Sequence, residues 1–277
     1  MRMTPSLLQD VLEIILDQQK RSGRPLAVFL AGHNGSGKST MWYTLLADSL
    51  QIPLINADRM MLSVLPEVTS EKPLPEWAEN IRDKNRDWME VARNSVEAFR
   101  EQAMIKKVSF AIETVFSHKK FLENGKFESK IDTIHQLQQK GYFVLLLFVG
   151  LSNYALSILR VERRVANKGH DVPIEKLKKR FPNTQEVVRD AIKEADASIL
   201  VDNSRDLQYA FTLCRVQMKE NILFDLRGPV VKDGKEYLKH EIAKEIEDWL
   251  KVVCPYTSDL EEIIPYPIEF LSAKCEQ

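Results

Sequence analysis

The plainest chemistry in the chain lies in AGHNGSGKST, Ala31 to Thr40, which follows the apolar run Leu26 to Leu30. Its spacing satisfies G-x-x-x-x-G-K-S/T, a loop that cradles phosphates. Gly32, Gly35 and Gly37 allow the tight turns that let successive backbone N–H groups converge on phosphate oxygens. A helix starting at the loop adds the positive end of its dipole. Lys38 is placed to reach the β- and γ-phosphates, and Ser39 to offer its hydroxyl to Mg²⁺. With His33, Asn34, Ser36 and Thr40 these residues form the candidate nucleotide-binding loop.

A loop of this kind serves switches, motors and kinases alike, so other residues must decide its use. Asp58, in LINADRM, comes 20 residues after Lys38 at the end of a short apolar run. A carboxylate there can face the γ-phosphate from the acceptor side, orient a hydroxyl and take its proton. Its other reading is a cap on the helix beginning at Arg59. Glu113 and Thr114 end a third apolar run in FAIETVFS, where Glu113 can hold an acceptor hydroxyl or an outer-sphere Mg²⁺ water. The segment LSILRVERRVANK carries Arg160, Arg163 and Arg164, with Arg160 and Arg164 one helical turn apart. Ile158, Val161 and Val165 form a separate stripe that can pack inward, leaving guanidiniums to aim at a departing phosphoryl group as a kinase lid does. Lys178, Lys179 and Arg180 read as a solvated basic run.

Stepping along the chain, apolar runs alternate with helical patterns. Leu7, Leu8, Val11, Leu12 and Ile15 predict a helix, Leu26 to Ala31 a buried parallel strand, and Ser39 to Leu50 a helix. Strands are predicted at Ile52 to Asn56, Val108 to Ile112, Tyr142 to Val149 and Ser198 to Val201. The intervening helices are a long one with Trp88, Ala92, Val96, Phe99 and Ala103 on one face, then Ile131 to Lys140, Asn153 to Ala166 and Ile174 to Ala195. Pro66 to Trp77 reads as an irregular insertion, ILFDLRGPVVKDG as a turn-containing stretch, and Lys235 to Val252 as a last helix. The expected architecture is α/β: a parallel sheet with helices on both faces, a kinase-like helical lid and a C-terminal helical extension. Residues 1–218 form the expected phosphate-binding domain, and 219–277 an extension packed on it. Gly32, Asp58, Glu113, Gly150 and Asp202 all fall at the carboxyl ends of strands, where such sheets bind ligands.

Composition sets bounds. The 277 residues contain 44% hydrophobic side chains, enough for a sizeable core, and 39 Lys+Arg against 40 Asp+Glu give a formal net charge of −1. That balance disfavours nucleic acid as a partner. Cys214, Cys254 and Cys275 lie far apart without metal-ligand spacing, and no apolar stretch approaches the roughly 20 residues of a membrane span. A cytoplasmic, soluble protein without membrane contact is expected. A GTPase would need N-K-x-D, but Asn167-Lys168-Gly169-His170 ends in the wrong residue. Ser198 to Asp202 imitates the acidic strand of motor ATPases, yet comes late and is followed by Asn203. Asp202 therefore reads as the end of an edge-side strand near the nucleotide base.

Together FLAGHNGSGKST, INADRM, FAIETVFSH, LRVERRVANKGHDVP and KKRFP resemble the zeta-toxin family of P-loop kinases, in the family's order over about Leu26 to Asn203. The resemblance implies an ATP- and Mg²⁺-dependent kinase phosphorylating a hydroxyl of a small-molecule acceptor, with UDP-N-acetylglucosamine the best-known case. It implies Asp58 as general base, Glu113 as a substrate-binding residue with Thr114 beside it, and Lys38 and Ser39 as phosphate and metal ligands. Arg160 and Arg164 take the transition-state role, and an antitoxin protein becomes a candidate partner. Outside the resemblance, the same loop and Asp58 would suit a nucleic-acid end kinase, and the loop alone an ATP-binding interaction module.

Overall fold

The computed structural model describes residues 5–69, 73–121, 127–167, 169, 171–228, 230–232, 235–237 and 242–255. Helix α1 (Pro5–Ser22) buries the expected stripe, Leu7, Leu8, Val11, Leu12 and Ile15, against the sheet. Strand β1 (Leu26–Gly32) is buried throughout, as its continuous apolar run requires. Helix α2 (Lys38–Met41) passes through a π-helical turn at Trp42–Leu46 into α3 (Ala47–Leu50), so the predicted single helix carries a wide turn in its middle. Strand β2 shrinks to Leu54–Ile55 because Asn56 leaves it to cap α4 (Ala57–Ser63).

Residues 70–72 of the proline-containing insertion lie outside the described residues. Its end is ordered into α5 (Glu76–Lys84), followed by α6 (Arg86–Lys106). The predicted apolar face of α6 divides. Ala92, Val96 and Ala103 turn inward, whereas Trp88 and Phe99 are exposed. Strand β3 (Phe110–Thr114) leads to a hairpin of β4 (Lys119–Phe121) and β5 (Phe127–Ser129), then α7 (Lys130–Gln139), closed at its start by a Ser129–Asp132 capping box. Strand β6 (Phe143–Gly150) is fully buried. Helices α8 (Tyr154–Ala166) and α9 (Ile174–Glu194) follow, then β7 (Ala197–Asp202). In α8, Val161 is buried and Ile158 partly so, but Val165 of the predicted stripe is exposed. Lys168 and His170, part of the rejected N-K-x-D string, lie outside the described residues.

Two further strands, β8 (Thr212–Met218) and β9 (Asn221–Asp225), complete the sheet. The order is β2-β3-β1-β6-β7-β8-β9, parallel from β2 through β7 and antiparallel beyond. Asp202 thus ends the last parallel strand, not an edge. Its carboxylate is buried, accepting from Trp249 Nε1 (2.8 Å) and from Ser204 Oγ (2.6 Å). A hairpin, β10 (Val230–Lys232) and β11 (Lys235–Tyr237), replaces the start of the predicted last helix, and α10 spans Lys244–Val253. One core lies between the sheet and α7, α9 and α10, the other between the sheet and α1–α3. Each fully buried Leu, Val or Phe in them stabilises the fold by about 1.5–3 kcal/mol.

Strands β8 and β9 hide from sequence patterning because their polar residues are internal. Arg215 and Arg227 both grip Asp225 (2.7 and 2.8 Å), Arg215 also donates to Gln217 (3.0 Å), and Arg227 donates to the Cys254 carbonyl at the end of α10 (2.6 Å). These pairings hold Asp225 below its ordinary carboxylate pKa even though burial works against them. Cys214 and Cys254 are buried free thiols. Among the described residues no helix is long and apolar enough to cross a membrane.

Candidate active site

Strand β1 ends at Gly32 beside Val149 of β6, and the loop turns there into α2. Three glycines are sterically required. At Gly32 a Cβ would lie 2.7 Å from the Val149 carbonyl oxygen. At Gly35 a Cβ would lie 3.0 Å from the Arg160 Cβ and 3.2 Å from the Ser157 carbonyl, so α8 packs directly on the loop. Gly37 is left-handed (φ 93°), and a Cβ there would meet Asn203 Nδ2 at 2.6 Å. Two hydrogen bonds fasten the loop from outside: Ser157 Oγ donates to the Asn34 carbonyl (2.7 Å) and Asn203 Nδ2 to the Ser36 carbonyl (2.8 Å). Thr40, one turn into the helix, is exposed.

Lys38 is buried, and its Nζ donates to the carbonyls of Gly32 (3.1 Å) and His33 (2.9 Å). Burial pushes its pKa below the ordinary lysine value; Glu113 and Asp58 oppose that shift, and Arg164 and Arg180 add to it. Four charged side chains, from α4, β3, α8 and α9, thus act electrostatically on one amine.

Glu113, on β3 opposite Leu30, accepts from Ser39 Oγ at 3.0 and 3.1 Å and from Asn56 Nδ2 at 2.6 Å. Asn56 has a second task, capping α4 by accepting from the N–H groups of Asp58 (2.8 Å) and Arg59 (3.3 Å). The cap is thus Asn56, which sequence reasoning passed over, and Asp58 stands in the first turn with its carboxylate exposed. Thr114 turns its Oγ1 to the Phe116 N–H (3.2 Å), supporting the left-handed residue Phe116 (φ 62°).

The arginines separate. Arg164 is close enough to Lys38 to act on its charge, whereas Arg160, half-buried against the loop at Gly35, feels Asp202 and Arg163. Its pKa is lowered, chiefly by burial, with Asp202 opposing. Arg180 is the second arginine near enough to act on the Lys38 charge. Burial lowers its pKa, with Arg93 of α6 adding to the effect. The sequence did contain a signal for it: Arg180 precedes Phe181, an aromatic at the inward phase of α9. The basic neighbours Lys178 and Lys179 obscured that.

The residues fit a bound triphosphate. The cradle has no room for further Cβ atoms, and Ser36 Oγ, which a Cβ on Gly32 would meet at 2.7 Å, is buried without a partner. Among the described residues, no cluster of three or more His, Cys, Asp or Glu side chains forms a metal site of its own.

A mostly parallel sheet with a glycine loop at the carboxyl end of its central strand defines a P-loop kinase-type fold. The chain belongs to the Zeta toxin family, whose family model matches residues 12–210. Members of that family are kinases. An uncharacterized protein of Haemophilus influenzae is 23% identical over 155 residues, covering 56% of this chain and 91% of that protein. Among solved structures, a chain of the PezAT chromosomal toxin-antitoxin system of Streptococcus pneumoniae aligns over 94% of this chain and 92% of its own, at 15% identity and a TM-score of 0.47. A chain of the AvrRxo1-ORF1:-ORF2 complex aligns over 90% and 73%, at 16% identity and a TM-score of 0.52, a likeness of fold.

Proposed function

We propose that the protein is a cytoplasmic, ATP- and Mg²⁺-dependent kinase that transfers the γ-phosphoryl group to a hydroxyl of a small-molecule acceptor. A nucleotide sugar such as UDP-N-acetylglucosamine is the first candidate. The observation that carries this reading is that Glu113 accepts from Ser39 of the loop and from Asn56, the cap of the helix bearing Asp58, while the arginine-bearing helix α8 packs on the same loop at Gly35. A protein that only binds nucleotide has no use for an exposed carboxylate and an arginine-bearing helix brought to its phosphate loop.

In the reaction, Asp58 accepts the proton of the acceptor hydroxyl as its oxygen attacks the γ-phosphorus. The bond from that phosphorus to the β-bridging oxygen breaks, and ADP leaves. Lys38, released from the loop carbonyls, pairs with the β- and γ-phosphate oxygens, while Arg164 and Arg180 offset charge on the transferring group. Mg²⁺, when bound, neutralises phosphate charge. Ser39 and Glu113 are the side chains that would hold it, because their mutual hydrogen bond puts a hydroxyl and a carboxylate together. This favours the metal-side role of Glu113 over direct acceptor contact. An antitoxin protein is a proposed partner, in line with the toxin-antitoxin system to which the PezAT chain belongs.

The test is incubation with γ-labelled ATP and a panel of nucleotide sugars, nucleosides and oligonucleotides. Label is expected on a small-molecule hydroxyl and is expected to vanish in Asp58→Ala and Lys38→Ala. Label on oligonucleotide ends would replace the acceptor class. ATP binding with no labelled product would reduce the protein to a nucleotide-binding module.

A further inference from the structure

Helix α9 is two halves in one element. Its C-terminal half is anchored in a main core by Val187, Val188, Ala191 and Ile192. Its N-terminal half belongs to a small satellite cluster of Leu177, Val161 and Val172, with Ile158 packed on it. Between them stands Pro182, which has no N–H to give the preceding turn and so marks a joint in the helix. Arg180 lies just on the lid side of that joint, and something must hold this side down if the guanidinium is to keep one position relative to the phosphate loop.

Beside the packing of Leu177 on α8 and the edge contact of Tyr154 with Phe181, one contact that does so comes from the phosphate loop. The His33 ring stacks face to face on Phe181, with centroids 3.9 Å apart and planes 11° from parallel, and meets Phe148 of β6 edge-on at 5.8 Å. His33 is only 2% exposed, and neither ring nitrogen has a hydrogen-bond partner. Burial, with the Lys38 charge adding to it, pushes its pKa down to about 3, so the ring is neutral at working pH. A neutral imidazole with both nitrogens unpaired serves as an aromatic plate, not as a donor or acceptor. The carbonyl of the same residue accepts from Lys38 Nζ. One loop residue thus touches the phosphate lysine through its backbone and the arginine-bearing helix through its ring.

We propose that His33 is a positioning residue: its ring, stacked on Phe181, seats the N-terminal half of α9 on the phosphate loop and thereby fixes the position of Arg180, the neighbour of Phe181, relative to that loop. The kinetic part of this inference rests on the kinase reading above; the structural part does not.

The test uses the full chain and four variants: His33→Ala, His33→Phe, Phe181→Leu and the His33→Ala/Phe181→Leu double. Amide hydrogen exchange over residues 176–184 without nucleotide should speed up in His33→Ala and Phe181→Leu and return toward the unsubstituted rate in His33→Phe, which keeps the plate. With ATP, kcat should fall about 10- to 100-fold in His33→Ala and in Phe181→Leu, while KM for ATP changes by less than about threefold. The double variant should lose little more than either single one, because both break the same contact. His33→Phe should recover kcat to within about threefold of the unsubstituted protein. Unchanged exchange in His33→Ala would overturn the proposal. So would a His33→Phe variant as slow as His33→Ala, which would assign the work to the ring nitrogens. A protein that transfers phosphate to nothing would defeat the kinase reading, while the exchange rates would still decide this one.

Discussion

The two banks of the cleft are built differently. On the donor bank, β1 and β6 are buried along their whole lengths, and the loop between β1 and α2 is fastened by Ser157, Asn203 and its own lysine. On the proposed acceptor bank, β2 is a two-residue edge strand, and the chain after it leaves Val64, Val68, Trp77, Trp88 and Phe99 exposed. Asp58 is exposed there as well. Electrostatic stabilisation of a transferring phosphoryl group needs dipoles and charges fixed before the reaction, so the donor bank is preorganised. Acceptor recognition needs surface still open to another molecule, and the exposed Asp58 lies on such surface.

Substitutions at the chemistry itself should break this contrast most strongly. Asp58→Asn should lower kcat by about 10²- to 10⁴-fold while ATP affinity, read by calorimetry, stays within a few-fold. A matching loss of ATP affinity would move Asp58 to the donor bank. Next come the arginines. Arg180→Ala should cost more than Arg160→Ala, by at least about tenfold in kcat, since Arg180, unlike Arg160, acts on the Lys38 charge. Single-turnover rates would settle the order.

A third comparison attacks the donor bank from behind. Trp249 of α10 packs so tightly on the end of β6 that a Cβ on Gly150 would lie 2.5 Å from its ring, and its Nε1 donates to Asp202. Trp249→Ala should cost about 3–5 kcal/mol in urea unfolding. His33 gives a smaller, pH-dependent signature. Its pKa is about 3 folded against 6.5 unfolded, so between those values the unfolded chain takes up a proton that the folded chain refuses. Stability should therefore fall as pH drops through that window, by about 1.4 kcal/mol per unit from this residue alone. His33→Phe should remove that part of the slope in unfolding curves measured across the window. The smallest effect belongs to the acceptor bank. Trp77→Ser and Phe99→Ser should each shift stability by no more than about 0.5 kcal/mol, as exposed positions do.

The legible parts of the fold were those with one-dimensional signals. Continuous apolar runs marked β1, β6 and β7, helical spacing marked α1, and glycine spacing marked the loop. Strands β8 and β9 escaped because Arg215, Gln217 and Asp225 look like surface in sequence but neutralise one another inside. Trp88 and Phe99 mislead for the opposite reason: their helical spacing predicts one face shared with Ala92, Val96 and Ala103, yet α6 turns these two outward.

By itself, then, the amino-acid order determined that a phosphate loop sits at the end of a buried strand, with Asp58 and Glu113 near it, since local spacing and apolar patterning specify strand ends directly. Only the tertiary structure decided that Asn56 caps α4, that Glu113 meets Ser39, that Arg164 and Arg180 act on the Lys38 charge, and that Arg160 does not. Those choices depend on how helices far apart in sequence rotate and pack, and no local pattern encodes the angle at which a side chain crosses to another element.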